Sequence, residues 1–203
     1  ERNTDHLADI GHGPREKLWK IRAGEVILAQ DAIERPLVFE GNDVPGVMLA
    51  SAARVFALRH GVAVGKKVAV IASHDSGWTD ALALAKAGVG IAAIIDVRDV
   101  VDAVLLDAAK AQGIAVHLAS SVIGVSGRHA VKGINLARND GSGQHSLSCD
   151  ALLMAGGWTP SIHLWSHSKG SIAWSEDWGA FLPDKPNENV RCVGACGGAF
   201  SFG

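Results

Sequence analysis

A short polar run between an apolar stretch and a helical pattern has residue types and a spacing that could bind a nucleotide. The run reads Ala-Ser-His-Asp-Ser-Gly-Trp at 72–78, directly after an apolar stretch at 68–72, and Asp96 closes the next apolar stretch. In a βαβ unit, such a turn brings backbone N–H groups at a helix N-terminus to a pyrophosphate, and an acid ~20 residues later accepts bonds from ribose hydroxyls. The spacing therefore favours dinucleotide binding.

This turn is poor in glycine compared with a G-x-G-x-x-G fingerprint. Ser73, His74, Asp75 and Ser76 stand where small residues are expected, and Gly77 alone remains. The alternative is a plain βαβ crossover in which Asp75 or Ser76 caps the helix. For His74 the two interpretations are a donor to phosphate and an exposed loop residue. We include all five residues in the candidate cofactor site.

The residues at the end of the second apolar stretch bear on the choice of nucleotide. Asp96 favours a nucleotide without a 2′-phosphate, hence NAD over NADP, although Arg98 close by would suit a phosphate. Asp96, Val97 and Arg98 form the second part of the candidate cofactor site.

A second glycine turn supplies the third part of the candidate site. Gly156, Gly157 and Trp158 follow an apolar stretch at 151–155. Trp158, and Trp78 on the first turn, could stack on adenine or nicotinamide, and packing in the core or at an interface is the alternative for both. No catalytic residue is predicted, because no Ser/His/Asp, Cys/His or paired-carboxylate set accompanies these turns.

The elements that must position these residues alternate between strand and helix. Apolar stretches in which polar residues do not alternate indicate strands that are buried on both faces, as in a parallel sheet. Helical patterns lie between these stretches. The predicted helices are 51–59, 77–87 and 100–111, and the predicted strands are 68–72, 91–95, 114–118, 151–155, two about Ala23-Gly24 within 18–29, and one in 190–198. An antiparallel meander is predicted within 121–149, turned at Asn139-Asp140-Gly141. The fold class is therefore α/β, a Rossmann-like βαβ domain with a small antiparallel meander.

Composition and charge exclude several kinds of partner. The 203 residues carry a net charge of −2 with both signs interspersed, so no surface for nucleic acid is expected. No apolar run approaches the ~20 residues of a membrane span. Three cysteines without CxxC spacing indicate reduced thiols and a cytoplasmic protein. His163 and His167 share a helical spacing without an acid or cysteine at ligand spacing, so no metal site is predicted.

Four segments together resemble one family of flavoenzyme subunits. They are IERPLVFEGNDVPGVMLASA at 33–52, SHDSGW at 73–78, GVGIAAIIDVR at 88–98 and GGWTPSIHLWSHSKGSIAW at 156–174. Each is similar to a segment of the alpha subunit of heterotetrameric sarcosine oxidase, and the similarity runs along nearly the whole sequence. The resemblance implies a two-dinucleotide flavoprotein fold, with an inserted NAD-binding domain at 46–184 and partial strands of an outer FAD-type domain at 1–45 and 185–203.

The resemblance also implies a function and its partners. The family demethylates sarcosine oxidatively; its alpha subunit carries NAD and helps to bind flavin mononucleotide at a subunit interface, and the amine is oxidised at a flavin on the beta subunit. We therefore expect this chain to bind NAD, to meet FAD or FMN only in the full-length assembly, and to join other subunits of a hetero-oligomeric oxidase. The alternatives are an NAD(P)H-dependent flavoprotein reductase domain and an assembly module that has lost nucleotide binding.

Two departures from the family pattern affect the expected flavin site. No GxGxxG precedes the first predicted strands, so the element that would hold a dinucleotide in the outer domain is not in this sequence. Asp31 stands where the family's A-T-G-A-H pattern has glycine, which would place a carboxylate near a pyrophosphate. A complete flavin site is therefore not expected.

Overall fold

The computed structural model describes residues 16–200. The ends of the predicted outer domain, 1–15 and 201–203, lie outside these residues. The strands are β1 (Val26–Leu28), β2 (Ala32–Glu34), β3 (Val47–Leu49), β4 (Val68–Ala72), β5 (Ile91–Asp96), β6 (Ala115–His117), β7 (Ser120–Ser126), β8 (Gly133–Arg138), β9 (His145–Leu147), β10 (Ala151–Ala155), β11 (Trp158–Pro160), β12 (Ile172–Ser175), β13 (Ala180–Pro183) and β14 (Val190–Cys192). The helices are α1 (Ala50–His60), α2 (Asp75–Lys86), α3 (Ala103–Ala111) and α4 (His163–His167), and a 3-10 helix spans Gly194–Gly197.

A five-stranded parallel sheet forms the centre of the fold, in the order β3-β10-β4-β5-β6. β4 and β10 are buried at every residue, as their unbroken apolar sequences predict for strands covered on both faces. Alternate residues of these strands point into two different cores. Val68, Val70 and Leu153 pack with α1, α2 and α3 on one face, whereas Ile71 and Leu152 pack with the antiparallel meander β7-β8-β9 on the other.

The chain runs from β4 through α2 to β5, which is the βαβ unit that the sequence predicts. Helix α2 begins at Asp75, two residues earlier than predicted, and β5 ends at Asp96 as predicted. The helix lies close to the sheet at Gly77, where an added Cβ would come within 2.8 Å of Ala72 Cβ and Ala155 Cβ. Gly77 therefore has the role of the third glycine of the fingerprint, which permits close packing of helix on strand.

Three small pairings lie outside the central sheet and the meander. β1 pairs in parallel with β14, β2 pairs antiparallel with β11, and β12 and β13 form a hairpin. β1 and β14 are far apart in the sequence, so their pairing joins the two arms, 16–45 and 185–200, in one sheet.

Most elements predicted between residues 46 and 184 are confirmed, and the differences concern short segments. The strands at 68–72 and 151–155 lie where predicted, and the meander turns at 139–141 as predicted. Helix α3 begins at Ala103 rather than 100, because the Asp102 carboxylate caps it by accepting from Val104 N–H at 2.8 Å. Residues 18–22 form no strand, so the predicted first strand of the 18–29 pair was wrong, and β1 pairs with β14 instead.

We expect Gly77→Ala to destabilise the fold by roughly 1–3 kcal/mol, because the added Cβ must push α2 away from β4 and β10. Urea denaturation of the variant and the parent measures the difference in the free energy of unfolding. Gly24→Ala is the control, since no heavy atom lies within 4 Å of the Cβ added there. Equal stability of Gly77→Ala and the parent would show that the helix does not need this close approach.

Candidate functional site

Two turns meet at the carboxyl edge of the central sheet, at the point where the strand order reverses. β4 leads through α2 to β5 and β6 on one side, whereas β10 lies on the other side of β4. Ser73 N–H donates to Ala155 O at 2.9 Å, and the Trp158 indole N–H donates to Ser76 Oγ at 3.1 Å. Open α/β sheets bind their ligands in the crevice outside such a point. The structure therefore brings together the predicted residues of the first and second glycine turns.

A cleft of ≈ 850 Å³ opens beside the first turn. Its walls come from the N-terminal turns of α1 and α2, from the segment between β1 and β2, and from the residues around the 3-10 helix. The lining residues are Ala29, Asp31, Ser51, Arg54, His74, Asp75, Ser76, Thr79, Asp80, Trp158, Val193, Gly194, Ala195, Ala199 and Phe200. A side pocket of ≈ 300 Å³ shares His74, Trp158 and Phe200 with the cleft, and Ser73, Gly156 and Gly157 also line it.

His74 caps the N-terminus of α2 with its own side chain. Its Nδ1 accepts a hydrogen bond from Ser76 N–H at 3.2 Å, which satisfies one of the helix N–H groups that would otherwise be free. Partial burial lowers the pKa of the imidazole, so the ring is mainly neutral at pH 7. Counting back from Gly77, His74 occupies the second-glycine position of the fingerprint, where the backbone would approach a pyrophosphate. His74 is therefore a helix cap rather than an exposed loop residue, and its half-buried side chain lines the cleft, so donation to a phosphate stays a prediction.

Asp96 is buried at the end of β5 with its acceptor positions used. Arg98 N–H and Nε–H donate to Oδ1 at 2.8 and 3.0 Å. The Trp78 indole N–H and Arg98 Nη2 donate to Oδ2 at 2.7 and 2.8 Å. The Asp96 side chain is 0% exposed. Because a carboxylate has about four lone-pair positions, none is left for ribose hydroxyls in this arrangement.

Arg98 is the exposed member of this group, with 32% of its side chain accessible. Its Nη1 also donates to Asp75 Oδ1 at 2.8 Å, and the Asp75 side chain is 53% exposed. The hydrogen bond to Asp96 raises the pKa of the guanidinium above its ordinary value, so the cation is permanent. One arginine thus bridges a buried and an exposed carboxylate, and the three groups together carry one formal negative charge.

Five of the predicted residues lie outside the cleft and the side pocket: Gly77, Trp78, Asp96, Val97 and Arg98. Trp78 is 0% exposed, so its indole cannot stack on a base, and the packing alternative is correct for this residue. The stacking hypothesis fails for Trp78 because its side chain lies on the face of α2 that packs on the sheet, where the indole N–H donates to Asp96 Oδ2 at 2.7 Å. Trp158 is half-buried and lines both spaces, so stacking by Trp158 stays a prediction.

The cleft also contains residues that the sequence did not assign to a site. Ser51 and Arg54 come from α1, and Thr79 and Asp80 come from α2. Polar residues on an amphipathic helix are typical of a solvated face, so the sequence carries little signal for them. Asp31 is the exception, because it replaces the family's glycine, and its φ of +64° is the left-handed conformation that favours glycine.

Two buried carboxyl groups lie at the α1 and α2 side of the cleft, Glu34 and Asp80, each 4% exposed. Glu34 Oε2 accepts from Ser51 N–H at 3.0 Å, and its Oε1 is buried without a hydrogen-bond partner. Asp80 Oδ1 lies 3.6 Å from Arg54 Nη1. Burial raises the pKa of both groups, that of Asp80 to about 6, where Arg54 opposes the effect and Glu34 adds to it.

Other kinds of site find no support within residues 16–200. No three His, Cys, Asp or Glu side chains come together as a metal site would require, and no helix has the length and apolar character to cross a membrane. Cys149, Cys192 and Cys196 are free thiols. Burial raises the pKa of Cys149 to about 11 and that of Cys192 to about 12, so neither is a thiolate at neutral pH.

Solved structures with this fold are reductases and a dehydrogenase. Thioredoxin reductase from T. acidophilum matches with a TM-score of 0.67 at 14% identity, over 84% of this chain and 56% of that chain. Ferredoxin reductase from Rhodopseudomonas palustris matches with a TM-score of 0.62 at 21% identity, over 87% and 45% of the two chains. L-proline dehydrogenase from P. horikoshii matches with a TM-score of 0.57 at 23% identity, over 86% of this chain and 30% of that chain. These structures share the α/β fold of the chain, with its parallel sheet and small antiparallel sheet, which confirms the predicted fold class.

Curated relatives identify the subunit to which the chain is similar, although no protein-family model matches it. The chain is 41% identical over 96% of its length to sarcosine oxidase subunit alpha of Rhizobium meliloti (strain 1021). It is 37% identical over 98% of its length to the subunit of the same name from Corynebacterium sp. (strain P-1). It spans 19% and 21% of these relatives, about one fifth of each. The predicted resemblance is confirmed: nearly the whole chain aligns with a region of these sarcosine oxidase alpha subunits.

We expect Asp80→Asn to stabilise the fold at pH 7 and to change little at pH 4. Burial raises the pKa of folded Asp80 from 3.8 to about 6, so the unfolded chain releases this proton first and the parent loses stability as the pH rises from 4 to 6. The expected difference at pH 7 is roughly 2–3 kcal/mol. Urea denaturation at pH 4, 5, 6 and 7 measures it.

Asp107→Asn is the control for this experiment, since that side chain is 77% exposed and pairs with Lys110 on the surface. Its stability should follow that of the parent at every pH. If the free energies of unfolding of the parent and Asp80→Asn change in parallel with pH, the result would contradict the burial of an ionised Asp80.

Proposed function

We propose that this chain is the NAD-binding region of the alpha subunit of a sarcosine oxidase-like flavoenzyme, and that the amine is oxidised elsewhere in the enzyme. The observation that carries the proposal is the cleft with its side pocket at the switch point of the parallel sheet, where the turns 73–76 and 156–158 meet. The curated relatives supply the reaction class, since they are alpha subunits of sarcosine oxidase.

The lining of the cleft suits a dinucleotide. Arg54 offers a cation for a pyrophosphate, and the hydroxyl groups of Ser51, Ser76 and Thr79 suit a sugar. The indole of Trp158 offers a flat apolar surface for a base. The volume of ≈ 850 Å³ lies within the range of about 300–1,000 Å³ that is usual for ligand pockets.

The charges at this edge of the sheet favour NAD over NADP. Asp31 and Asp75 line the cleft, and the cation of Arg98 is already balanced by Asp75 and Asp96. A 2′-phosphate would meet a region with excess negative charge and would be repelled. NAD lacks this phosphate, so the same carboxylates oppose it less.

Two carboxylates that line the cleft are held in ion pairs with arginines, which favours binding over proton transfer. Asp80 pairs with Arg54, and Asp75 pairs with Arg98. We therefore assign no catalytic residue to this chain, and we assign FAD or FMN to the full-length hetero-oligomer, where other subunits are the partners. Free cysteines suit a reducing compartment, so we propose a cytoplasmic location.

Residues 46–184 are assigned to an inserted NAD-type domain, and residues 1–45 and 185–203 to an outer FAD-type domain. The pairing of β1 with β14 supports this division, because it joins the two arms. Two strands alone make a marginal sheet, and Ile27 of β1 is 63% exposed, so further strands are expected to complete the outer sheet.

A second function, that of an assembly module, is favoured by the groups that fill the first turn. His74 caps α2, and Arg98 covers Asp96, so the protein itself occupies two positions that a nucleotide would use. A domain that has lost nucleotide binding would show the same contacts. A reductase domain, the third alternative, would bind FAD as well as NAD(P)H.

Calorimetric titration of the chain distinguishes these functions. We expect NAD to bind and NADP to bind much more weakly, because its 2′-phosphate would meet the carboxylates of the cleft. We expect FAD to give no heat of binding, because the flavin is assigned to the full-length assembly. Binding of NADP in preference to NAD would overturn the specificity, binding of FAD would favour the reductase domain, and absence of heat with all three would favour the assembly module.

We further expect Arg54→Ala to weaken NAD binding about 10- to 100-fold, since a hydrogen bond to a charged group contributes ~1.5–3 kcal/mol. Calorimetry measures the change in Kd. Arg59→Ala removes an exposed arginine from the same helix outside the cleft, and its Kd should equal that of the parent. Equal Kd values for all three proteins would place the pyrophosphate away from Arg54.

A further inference from the structure

We propose that Arg98 is a specificity-determining residue of the nucleotide site. Its guanidinium occupies acceptor positions of the Asp96 carboxylate that would otherwise bind a ribose. This inference rests on the proposed function, because it concerns NAD bound at this edge of the sheet. It adds that the site, as folded, does not recognise the ribose through Asp96, and that removing one side chain would create such recognition.

Asp96 accepts hydrogen bonds from two donors that the fold holds in place and from two donors on the guanidinium of Arg98. The backbone N–H of Arg98 holds Oδ1, and the buried indole of Trp78 holds Oδ2. The guanidinium supplies one further bond to each oxygen, from Nε to Oδ1 and from Nη2 to Oδ2. If the guanidinium leaves, each carboxylate oxygen keeps one donor and regains one acceptor position.

Two free acceptor positions on one carboxylate match the two neighbouring hydroxyl groups of a ribose. A carboxylate that accepts from both hydroxyls is the usual way in which a βαβ nucleotide site recognises NAD. Asp96 already stands at the end of β5, where this carboxylate is expected, so the only change required is the removal of Arg98.

The subsite would open onto the cleft. Arg98 Nη1 reaches Asp75, and Asp75 lines the cleft, so the guanidinium lies between the buried carboxylate and the edge of that space. Arg98 is also the partly exposed member of the pair with Asp96, at 32% against 0%. Truncating its side chain therefore uncovers Asp96 from the side on which a nucleotide would approach.

NAD and NADP would respond in opposite directions. The uncovered carboxylate offers acceptors to both ribose hydroxyls of NAD, whereas NADP replaces one of these hydroxyls with a phosphate that the carboxylate repels. Loss of Arg98 therefore raises the affinity for NAD and lowers the affinity for NADP.

The test is calorimetric titration of four proteins with NAD and with NADP: the parent, Arg98→Ala, the double variant Arg98→Ala with Asp96→Asn, and Arg128→Ala. We expect Arg98→Ala to bind NAD at least about tenfold more tightly, since each new bond to a charged group contributes ~1.5–3 kcal/mol. The double variant should lose that gain, because an amide has one acceptor where the carboxylate had two. Arg128, exposed in the loop between β7 and β8, is the matched control and should bind like the parent.

Arg98→Lys keeps the proposal testable if Arg98→Ala does not fold. Lysine retains the charge that balances buried Asp96 but cannot place two donors on its two oxygens, so a smaller gain in NAD affinity is expected. Circular dichroism and thermal melting show which variants are folded.

The outcomes separate this inference from the proposed function. Folded Arg98 variants that bind NAD no more tightly than the parent, while the parent does bind, would overturn the role of Arg98 alone. Absence of NAD binding in the parent and in every folded variant would overturn the proposed function itself. Binding that appears only in the Arg98 variants would support the closing role.

Discussion

The pairing of β4 with β10 is the interaction on which the candidate site depends. The two strands are far apart in the sequence, yet Val68 to Ala72 lie beside Ala151 to Ala155 in parallel register. Both strands are apolar throughout and are covered on one face by helices and on the other by the meander. A slip of one residue would exchange the side chains that face the two cores, so packing on both faces holds the register. This register sets the turns 73–76 and 156–158 against each other at one edge of the sheet.

The same edge is surrounded by carboxylates that the fold stabilises to different degrees. Asp96 receives four donors, from Trp78 and Arg98, and is thereby part of the framework. Asp80 has Arg54 at 3.6 Å, and Glu34 keeps one oxygen without a partner, so burial raises the pKa of both. The fully bonded carboxylate holds the turn, whereas the poorly bonded ones make the α1 and α2 side of the cleft sensitive to pH.

The sequence predicts those parts of the fold that local patterns determine. Long apolar strands, amphipathic helices and the turn at 139–141 follow from residue periodicity and turn chemistry, and all are confirmed. The outer wall of the cleft depends on the pairs β1 with β14 and β2 with β11, each of three residues, which is too short for a measurable period. The orientations of Trp78 and Trp158 were equally open, because a tryptophan beside a turn can pack in the core or face a ligand, and the sequence around each does not distinguish the two. The covering of Asp96 by Arg98 does not follow from the sequence, since two residues of spacing at a strand end do not fix whether the two side chains meet.

The contacts at the first turn hold it in place through the protein's own side chains, so the turn does not need a nucleotide for its stability. A glycine-rich turn leaves helix N–H groups free, and a bound phosphate then satisfies them. Here His74 satisfies one of these groups and Arg98 neutralises Asp96, so the turn is stable without a ligand. Nucleotide affinity must then come largely from the remaining walls of the cleft, and these include residues of the outer arms, such as Asp31 and the segment 193–200. Under the proposed function, nucleotide binding would therefore depend on how Asp31 and the segment 193–200 lie against the central sheet, as well as on the first turn.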